Sequence, residues 1–419
     1  MDVSSKAYKA MLERRPLNVR ALWENESVGL VSGRDIYAAA RELGCVILAA
    51  NCRCPLTAKG VLRAAKKLNS AVVLEIAKSE ASYCYGRFDN LPTFAVKYSK
   101  ELGDGVIFAM HVDHYGIKGA SDVSKAVSHI PMLVGQGWTS LAVDASHLPD
   151  FENLCATRDV AMSLPAYLGL EVEVGEIKGA GELSTVEEAL FFIGGLNAWG
   201  VYPDLLAISN GSLHGTYDSA SGQQEGIDLN RTLEIAEAVK PYGVTIAQHG
   251  ISGTPLNKVA EFHKYQINKG NVATLFQNVA FGLKMDPDTG NADLSSGAYV
   301  KESGRGISDS LWKKIVSWAD GEKISRKSGD YKKANLPFGQ AMMQESSEIV
   351  ERVVAETEEW TARFIKAMKS EGSADKVLEV VSRRADHNAA PERRTEKSRA
   401  DYTPDKAPNK KQGEGNFDD

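Results

Sequence analysis

Short apolar runs, many of them rich in β-branched residues, alternate along the chain with stretches whose apolar positions recur every three or four residues. Eight such runs occur, at residues 45–50, 71–77, 106–110, 140–144, 169–174, 204–209, 244–248 and 271–276. Most are apolar at nearly every position, which is typical of strands buried on both faces of a parallel sheet. The stretches between them predict helices at residues 56–68, 93–102, 123–134, 186–196, 229–239 and 257–269.

Eight successive β–α units predict an α/β fold, a (β/α)8 TIM barrel. A doubly wound open sheet is the alternative, and it is disfavoured because no glycine-rich dinucleotide motif follows the first strand. The predicted organisation is an N-terminal helical segment (1–43), the barrel (44–306), a C-terminal helical extension (307–384) and a disordered tail (385–419). The tail is assigned by composition, since it is rich in charged residues, Pro and Gly and poor in large apolar ones.

One apolar stripe stands out in the C-terminal extension. It is formed by Ile349, Val353, Trp360, Phe364 and Met368, which recur mostly at four-residue steps. This spacing predicts a helix that packs on the barrel or on another subunit.

Composition restricts the class of protein further. Apolar residues make up 43% and charged residues 25% of the chain, which excludes a mainly disordered or collagen-like protein. The net charge of −6 gives no reason to expect nucleic acid as a partner. No apolar run approaches the roughly 18 residues of a membrane helix. The five cysteines, an odd number in a large chain, suit free thiols in a reducing compartment, so we expect a cytoplasmic location without membrane attachment.

Polar residues cluster where the predicted strands end. The strand ends lead into His111-Val-Asp-His114, Asp144-Ala-Ser-His147, Glu171-Val-Glu-Val-Gly175, Asn210-Gly-Ser-Leu-His-Gly215 and Gln248-His-Gly-Ile-Ser-Gly253. Five of the eight histidines of the chain fall in these segments. In a parallel barrel all of these ends lie on one face, which is where barrel active sites are built.

Three of these histidines predict a divalent metal site together with a strand glutamate. A single histidine would be interpreted as a core or capping residue, but His114, His214 and His249 share the same placement. Neutral imidazole and carboxylate ligands suit Zn²⁺, and three protein nitrogens leave a coordination position open for a substrate.

The motifs together resemble the class II (zinc-dependent) fructose-bisphosphate aldolase family, of which this chain would be a divergent member. The matching segments are Met110-His-Val-Asp-His114, Trp138-Thr-Ser-Leu-Ala-Val-Asp-Ala-Ser-His-Leu-Pro149, Leu170-Glu-Val-Glu-Val-Gly175, Asn210-Gly-Ser-Leu-His-Gly-Thr-Tyr217 and Gln248-His-Gly-Ile-Ser-Gly253. They follow the family's order over residues 44–284, and the set is specific where any single motif is not.

The resemblance implies a role for each matching residue. His114, His214 and His249 would hold one catalytic Zn²⁺, with Glu173 as a fourth or alternative ligand and Asp144 as a partner of the ligands. Asp113 would be the acid/base at the hydroxyl of the cleaved bond, and Glu182 the base that deprotonates the ketone donor, with Glu176 as the alternative. The substrate contacts would be Asn51, Ser79, Gly215, Gly250, Ser252, Gly253, Asn271 and Thr274. A second divalent ion or a monovalent cation is also compatible with the site.

The implied reaction is the reversible cleavage of fructose 1,6-bisphosphate to dihydroxyacetone phosphate and glyceraldehyde 3-phosphate through a zinc-stabilised enediolate. The resemblance also implies a small sugar phosphate as the partner and a homo-oligomeric assembly.

Three departures from the motifs of the family leave the identity of the substrate open. Leu275 stands where the family has Asp, Ile251 replaces the second glycine of a pair, and the loop from Gly175 to Glu182, with Lys178, is atypical. Alternatives are therefore a tagatose-bisphosphate-like ketose or a non-phosphorylated or sulfonated donor.

Other mechanisms are less favoured. A zinc barrel hydrolase would be supported by a carbamylated lysine or a bridging carboxylate, and the sequence has no convincing motif for either. A non-catalytic barrel would need neither Asp113 nor Glu182. A Schiff-base aldolase would need a barrel lysine, for which Lys78 is the candidate, but the histidine cluster favours metal chemistry.

Overall fold

The chain forms a closed barrel of eight parallel strands, which confirms the predicted (β/α)8 TIM barrel. The computed structural model describes residues 3–175, 183–212 and 227–383. The strands are β1 (Ile47–Asn51), β2 (Val72–Ala77), β3 (Ile107–Gly116), β4 (Ser140–Asp144), β5 (Gly169–Val174), β6 (Leu205–Ile208), β7 (Thr245–Gln248) and β8 (Ile267–Val272). Each pairs in parallel with the next, and β8 pairs with β1 to close the barrel. A two-residue strand, Gly29–Leu30, pairs with β3.

Helices surround the barrel and extend it at both ends of the chain. They are α1 (Val3–Leu12), α2 (Leu17–Trp23), α3 (Gly33–Leu43), α4 (Pro55–Lys67), α5 (Leu91–Leu102), α6 (Ala120–Gly135), α7 (Asp150–Ala161), α8 (Val186–Ala198), α9 (Leu229–Val239), α10 (Leu256–Val259), α11 (Thr274–Phe281), α12 (Asp309–Gly321), α13 (Asn335–Met343), α14 (Ser347–Ala367) and α15 (Ser373–Arg383). Among the described segments, no helix is both long and apolar enough to cross a membrane.

Helix α3 closes the end of the barrel opposite the predicted active site. Its Tyr37 packs in one buried cluster with Ile47, Val73 and Ile107 from the first three strands. The Tyr37 hydroxyl also hydrogen-bonds to Ser140 Oγ at 2.9 Å. Helices α1 and α15 contribute to the same cluster, so segments from both ends of the chain pack together here.

The eighth strand lies upstream of its predicted position. It covers Ile267–Val272, and Thr274 already begins α11. The predicted helix at 257–269 is reduced to α10 and a short 3-10 turn, Phe262–Tyr265. The prediction was wrong because this strand carries polar residues, Lys269 among them, whose partners lie inside the barrel and which break the apolar run that marks the other strands.

Helix α14 belongs to the outer layer of the barrel and packs along α4. The two helices approach closely at Gly60, where a Cβ atom would lie 2.5 Å from Thr357 Cβ. Trp360 and Phe364 are buried within the chain. The stripe therefore packs on the barrel, which is the first of the two predicted alternatives.

We predict that Gly60→Ala destabilises the protein by about 1–3 kcal/mol, because the added methyl group overpacks the α4–α14 contact. Gly135→Ala is the matched control, since Gly135 also lies in a helix but has open space around a Cβ position. That control is expected to be neutral or stabilising by up to about 1 kcal/mol. Urea unfolding midpoints test the pair, and equal effects of the two substitutions would contradict the predicted clash.

Candidate active site

A bulge at the end of β3 brings two consecutive side chains to the same place. In a regular strand neighbouring residues point to opposite faces, so Asp113 and His114 could not share one site. The register with β4 shifts between Val112 and Tyr115, and His114 adopts a φ of 42°. This left-handed conformation is uncommon outside glycine and typically marks a constrained functional position. Asp113 and His114 consequently both line the cavity at the carboxyl end of the strands.

His114 is surrounded by carboxylates and by a second histidine. Its Nδ1 lies 2.9 Å from Glu173 Oε1 and 3.6 Å from Asp144 Oδ2, and its Nε2 lies 3.9 Å from Asp113 Oδ2. The His249 ring meets the His114 ring edge-on, with centroids 4.4 Å apart. Ligand atoms of Asp113, His114 and His249 lie within 4.8 Å of one another, as do those of His114, Asp144 and Glu173. Imidazole nitrogens and carboxylate oxygens in this arrangement fit a divalent metal ion.

A buried ion pair beneath the cluster orients His249. Glu171 accepts hydrogen bonds from Lys269 Nζ at 2.8 Å on Oε2 and from His249 Nε2 at 2.8 Å on Oε1. With Nε2 donating to Glu171, the lone pair for a metal lies on Nδ1 of His249. Carboxylates commonly fix the orientation and tautomer of metal-binding histidines in this way.

The pair also sets the protonation of its neighbours. Burial alone would raise the pKa of Glu171 and lower that of Lys269, but the opposite charge on each partner outweighs burial, so both stay ionised. Burial, with Lys269 beside it, lowers the pKa of His111 to about 3, so that imidazole is neutral. Burial and the nearby Asp113 raise the pKa of Glu75 well above its usual value. The Glu171–Lys269 ion pair is therefore flanked by a neutral imidazole and by a carboxyl group whose pKa is raised.

Asp113 is held ionised and oriented. Burial would raise its pKa, but the positive charges of His114 and Lys269 outweigh burial and lower it. Its Oδ1 accepts a hydrogen bond from Asn271 Nδ2 at 3.0 Å. In contrast, burial and the charge of Asp144 raise the pKa of Glu173.

The cavity over this cluster measures about 430 Å³. It is lined by the predicted residues Asn51, Ser79, Asp113, His114, Asp144, Glu173, His249, Gly250, Ser252, Asn271 and Thr274. Ser252 has a further contact, since its Oγ accepts hydrogen bonds from the backbone N–H groups of Ala273 and Leu275 at the start of α11. Gly253 is buried, but it is not among the described residues that line the cavity.

Several predicted residues lie outside the described part of the chain. They are His214, Gly215, Glu182 and its alternative Glu176, together with Lys178. Their roles remain predictions.

The support beneath the site and one end of the cavity were not predicted from the sequence. Lys269, Glu75 and the role of Glu171 escaped notice, although the alternation of Glu171 with Glu173 and of Lys269 with Asn271 was a usable signal. Cavity-lining residues for which the sequence gave no signal are Arg53, Glu80, Gln277, Tyr331 and Lys332.

The structure gives no support to a Schiff base on Lys78. Its Nζ donates to the Gly116 carbonyl at 2.8 Å and lies over the Tyr115 ring, 4.1 Å from the centroid. Lys78 is absent from the cavity lining. Lys269 is fully buried and ion-paired, so it is equally unsuited to act as a nucleophile.

Histidines and carboxylates gather at the carboxyl ends of the strands of this (β/α)8 barrel. This arrangement is that of a barrel enzyme with a candidate metal centre. Comparison with known proteins identifies the family. The family model described as fructose-bisphosphate aldolase class-II matches residues 31–373. The chain therefore belongs to the class II fructose-bisphosphate aldolase family, and it is an aldolase, a carbon–carbon lyase.

Its relatives are distant. Fructose-bisphosphate aldolases from Streptococcus pyogenes serotype M1 and Streptococcus pneumoniae serotype 4 are each 29% identical over 262 residues, which is 61% of this chain and 82% of theirs. Among solved structures, the YdjI aldolase of Escherichia coli K12 matches with a TM-score of 0.53 and 17% identity, over 82% of this chain and 99% of its own. Fructose-bisphosphate aldolase from Campylobacter jejuni matches with a TM-score of 0.55 and 16% identity, over 83% and 96%. These structural similarities concern the fold.

We predict that His249→Ala weakens Zn²⁺ binding by at least about tenfold, because it removes both a candidate ligand nitrogen and the hydrogen-bond partner of Glu171. His263→Ala is the control, since His263 hydrogen-bonds to the Ala260 carbonyl on a turn and does not line the cavity. Competition with a chromogenic chelator gives the two affinities. Unchanged affinity in the His249 variant would show that the metal binds elsewhere.

Proposed function

We propose that this chain is a zinc-dependent aldolase that reversibly cleaves a ketose phosphate, with fructose 1,6-bisphosphate as the first candidate substrate and dihydroxyacetone phosphate and glyceraldehyde 3-phosphate as products. The observation that carries the proposal is the convergence of His114 and His249 with carboxylates directly beside an oriented acid/base candidate, Asp113. Membership of the aldolase family favours carbon–carbon cleavage over hydrolysis.

The metal-binding residues in this proposal are His114, His249 and His214, with Glu173 and Asp144 as the carboxylates beside them. A bound Zn²⁺ supplies a Lewis acid that stabilises negative charge developing on the ketone oxygen. The pKa of Glu173 is raised, and its Oε1 lies 2.9 Å from His114 Nδ1. Both features suit a carboxylate that exchanges its contact with His114 for a contact with a bound cation.

Asp113 is the proposed acid/base at the hydroxyl of the cleaved bond. Asn271 occupies Oδ1 of this carboxylate, which leaves Oδ2 to take the hydroxyl proton in cleavage and to return it in the reverse reaction. The low pKa keeps the carboxylate in the basic form at neutral pH, as cleavage requires.

Two asparagines suit a substrate rich in hydroxyl groups. The Asn51 amide donates to Glu80 Oε2 at 2.6 Å, and the Asn271 amide donates to Asp113. Both side chains line the cavity, and among the described residues neither Oδ1 has a hydrogen-bond partner. Each therefore presents a buried acceptor, which substrate hydroxyls can satisfy.

Glu182 is the proposed base that takes the proton from the donor ketone, with Glu176 as the alternative. Both belong to a segment whose two ends meet beside the end of β5. Ser184 Oγ donates to the Val174 carbonyl at 3.0 Å, and a Cβ at Gly175 would lie 2.4 Å from the same Oγ. The positive φ of Gly175 and this close approach both require glycine there.

A different ketose is the second candidate. Leu275, which replaces the expected Asp, is fully buried and contributes only its backbone N–H to the hydrogen bonding around Ser252. The cavity consequently lacks one polar side chain that could hydrogen-bond to the substrate. This favours a ketose that differs from fructose 1,6-bisphosphate in the group bound there, such as a tagatose-bisphosphate-like, non-phosphorylated or sulfonated ketose.

The direct test is cleavage of fructose 1,6-bisphosphate by zinc-loaded protein, measured as triose-phosphate release. We expect release that a chelator abolishes and that added Zn²⁺ restores. Tagatose 1,6-bisphosphate and fructose 1-phosphate run in parallel identify the alternative substrates. Release that persists after complete removal of metal would contradict the proposed mechanism.

We predict that Asp113→Asn lowers the rate of cleavage by about 10²–10⁴-fold while Zn²⁺ binding is retained, because the amide cannot exchange the proton. Asp122→Asn is the control, since Asp122 lies in the first turn of α6 outside the cavity. Rates and metal content are measured on the same preparations. Normal turnover by the Asp113 variant would assign the acid/base role to another group.

A further inference from the structure

The bulge in β3 inserts one extra residue into the pairing between β3 and β4. From Val112 to Tyr115 the chain takes three steps, whereas their partners on β4, Leu141 and Val143, are two steps apart. A bulge of this kind interrupts the hydrogen-bond ladder locally. On the β4 side, regular pairing therefore holds the strand up to Val112 and again from Tyr115, but not in between.

Lys78, the residue after β2, bridges the bulge from the opposite edge of β3. Its backbone N–H donates to the Asp113 carbonyl at 2.9 Å, directly after the last β2–β3 pair, Ala77 with Asp113. Its side-chain Nζ donates to the Gly116 carbonyl at 2.8 Å. One residue thus holds the main chain both before and after the two bulge positions, His114 and Tyr115.

The Lys78 ammonium group is in turn held in place by the side chains around it. It lies over the Tyr115 ring, 4.1 Å from the centroid, which is within the range of a cation–π interaction. The Tyr115 hydroxyl hydrogen-bonds to Nδ1 of His129 on α6 at 2.9 Å. Burial, with Lys78 beside it, lowers the pKa of His129, so this imidazole adds no positive charge next to the ammonium group. Lys78 therefore connects β2, β3 and α6 around the bulge.

The bulge needs such a support because its conformation is strained. His114 is a non-glycine residue at a φ of 42°, which costs free energy that the surrounding structure has to offset. In a relaxed, extended strand the side chains of Asp113 and His114 would point to opposite faces. The Lys78–Gly116 hydrogen bond is suited to this role, since a charged donor binds a carbonyl more strongly than a neutral one.

We propose that Lys78 is a positioning residue that holds the β3 bulge in the conformation in which Asp113 and His114 both face the metal-binding cluster. The inference rests on the proposed aldolase function, to which it adds a residue that acts through the main chain. Lys78 is not among the described residues that line the cavity. Its loss is therefore expected to displace the two side chains without removing any contact to a ligand.

The first measurement is amide hydrogen exchange in the full-length protein without added metal. Lys78→Met keeps the apolar stem but loses the donor and the charge, whereas Lys118→Met, the matched control, removes the same charge from an exposed position just after β3. In Lys78→Met we expect exchange across residues 112–118 to accelerate about tenfold or more, the size expected for a lost hydrogen bond to a charged group. The other strands should be unchanged, and Lys118→Met should match wild type. Lys78→Arg should recover part of the protection, because a guanidinium donates to carbonyls and stacks on aromatic rings.

Zinc affinity and turnover per bound zinc connect the bulge to the chemistry. For Lys78→Met we expect Zn²⁺ binding to weaken about tenfold, as is typical when the support of a metal ligand is lost. With a ketose that the wild type cleaves, kcat at saturating zinc should also fall about tenfold while KM changes less than about threefold, because the misplaced groups act in the transition state. A role in stability alone would lower the folded fraction and leave kcat per bound zinc unchanged.

The outcomes separate the role of Lys78 from the function on which it rests. Unchanged exchange around the bulge, or equal acceleration in every strand, would overturn the role of Lys78. Local acceleration with unchanged zinc affinity and kcat would overturn it as well, since the bulge would then not position the site. Wild-type protein that neither binds Zn²⁺ nor cleaves any ketose would overturn the proposed function. The exchange comparison needs neither metal nor substrate, so it would still uphold or overturn the hold of Lys78 on the bulge.

Discussion

Lys269 places an ammonium group in the middle of the barrel, where Glu171 bonds it directly and Glu75 lies 3.3 Å away. Neither charge could be buried alone, because an unpaired ion in this interior would cost several kcal/mol. Pairing them allows β5 and β8 to carry charged residues inward, and the free oxygen of Glu171 then holds His249. The orientation of a metal-ligand candidate therefore depends on an ion pair whose two residues do not line the cavity.

The bulge in β3 is the second constraint on the site. It costs local strain at His114, since a non-glycine residue is held in the left-handed region. In return, an acid/base candidate and a metal-ligand candidate come from adjacent positions on one rigid strand. The separation between them is thus fixed by backbone geometry rather than by two independently moving loops, which suits a reaction that needs metal and proton transfer at neighbouring atoms.

The C-terminal part of the chain is part of the barrel's architecture and of its cavity. Helix α14 packs on α4, and α15 joins α3 in closing the end of the barrel away from the cavity. Between α12 and α13 the chain passes the mouth of the cavity, where Asn335 ties it to α11 through Gln277. Residues far apart in sequence thereby form one surface with the strand ends.

The sequence by itself determined the barrel and most of the metal-site candidates. Seven of the eight strands were found near their observed positions because their burial on both faces leaves apolar runs, and the polar residues that follow them mark the functional face. The eighth strand was misplaced, since the residues it turns inward are polar and their partners are distant in sequence. Only the tertiary structure decided that Glu171 pairs with Lys269, that a bulge turns His114 into the cavity and that Lys332 lines its far end. Each of these depends on contacts between residues far apart along the chain or on a local register shift, and neither leaves a periodic signal in the sequence.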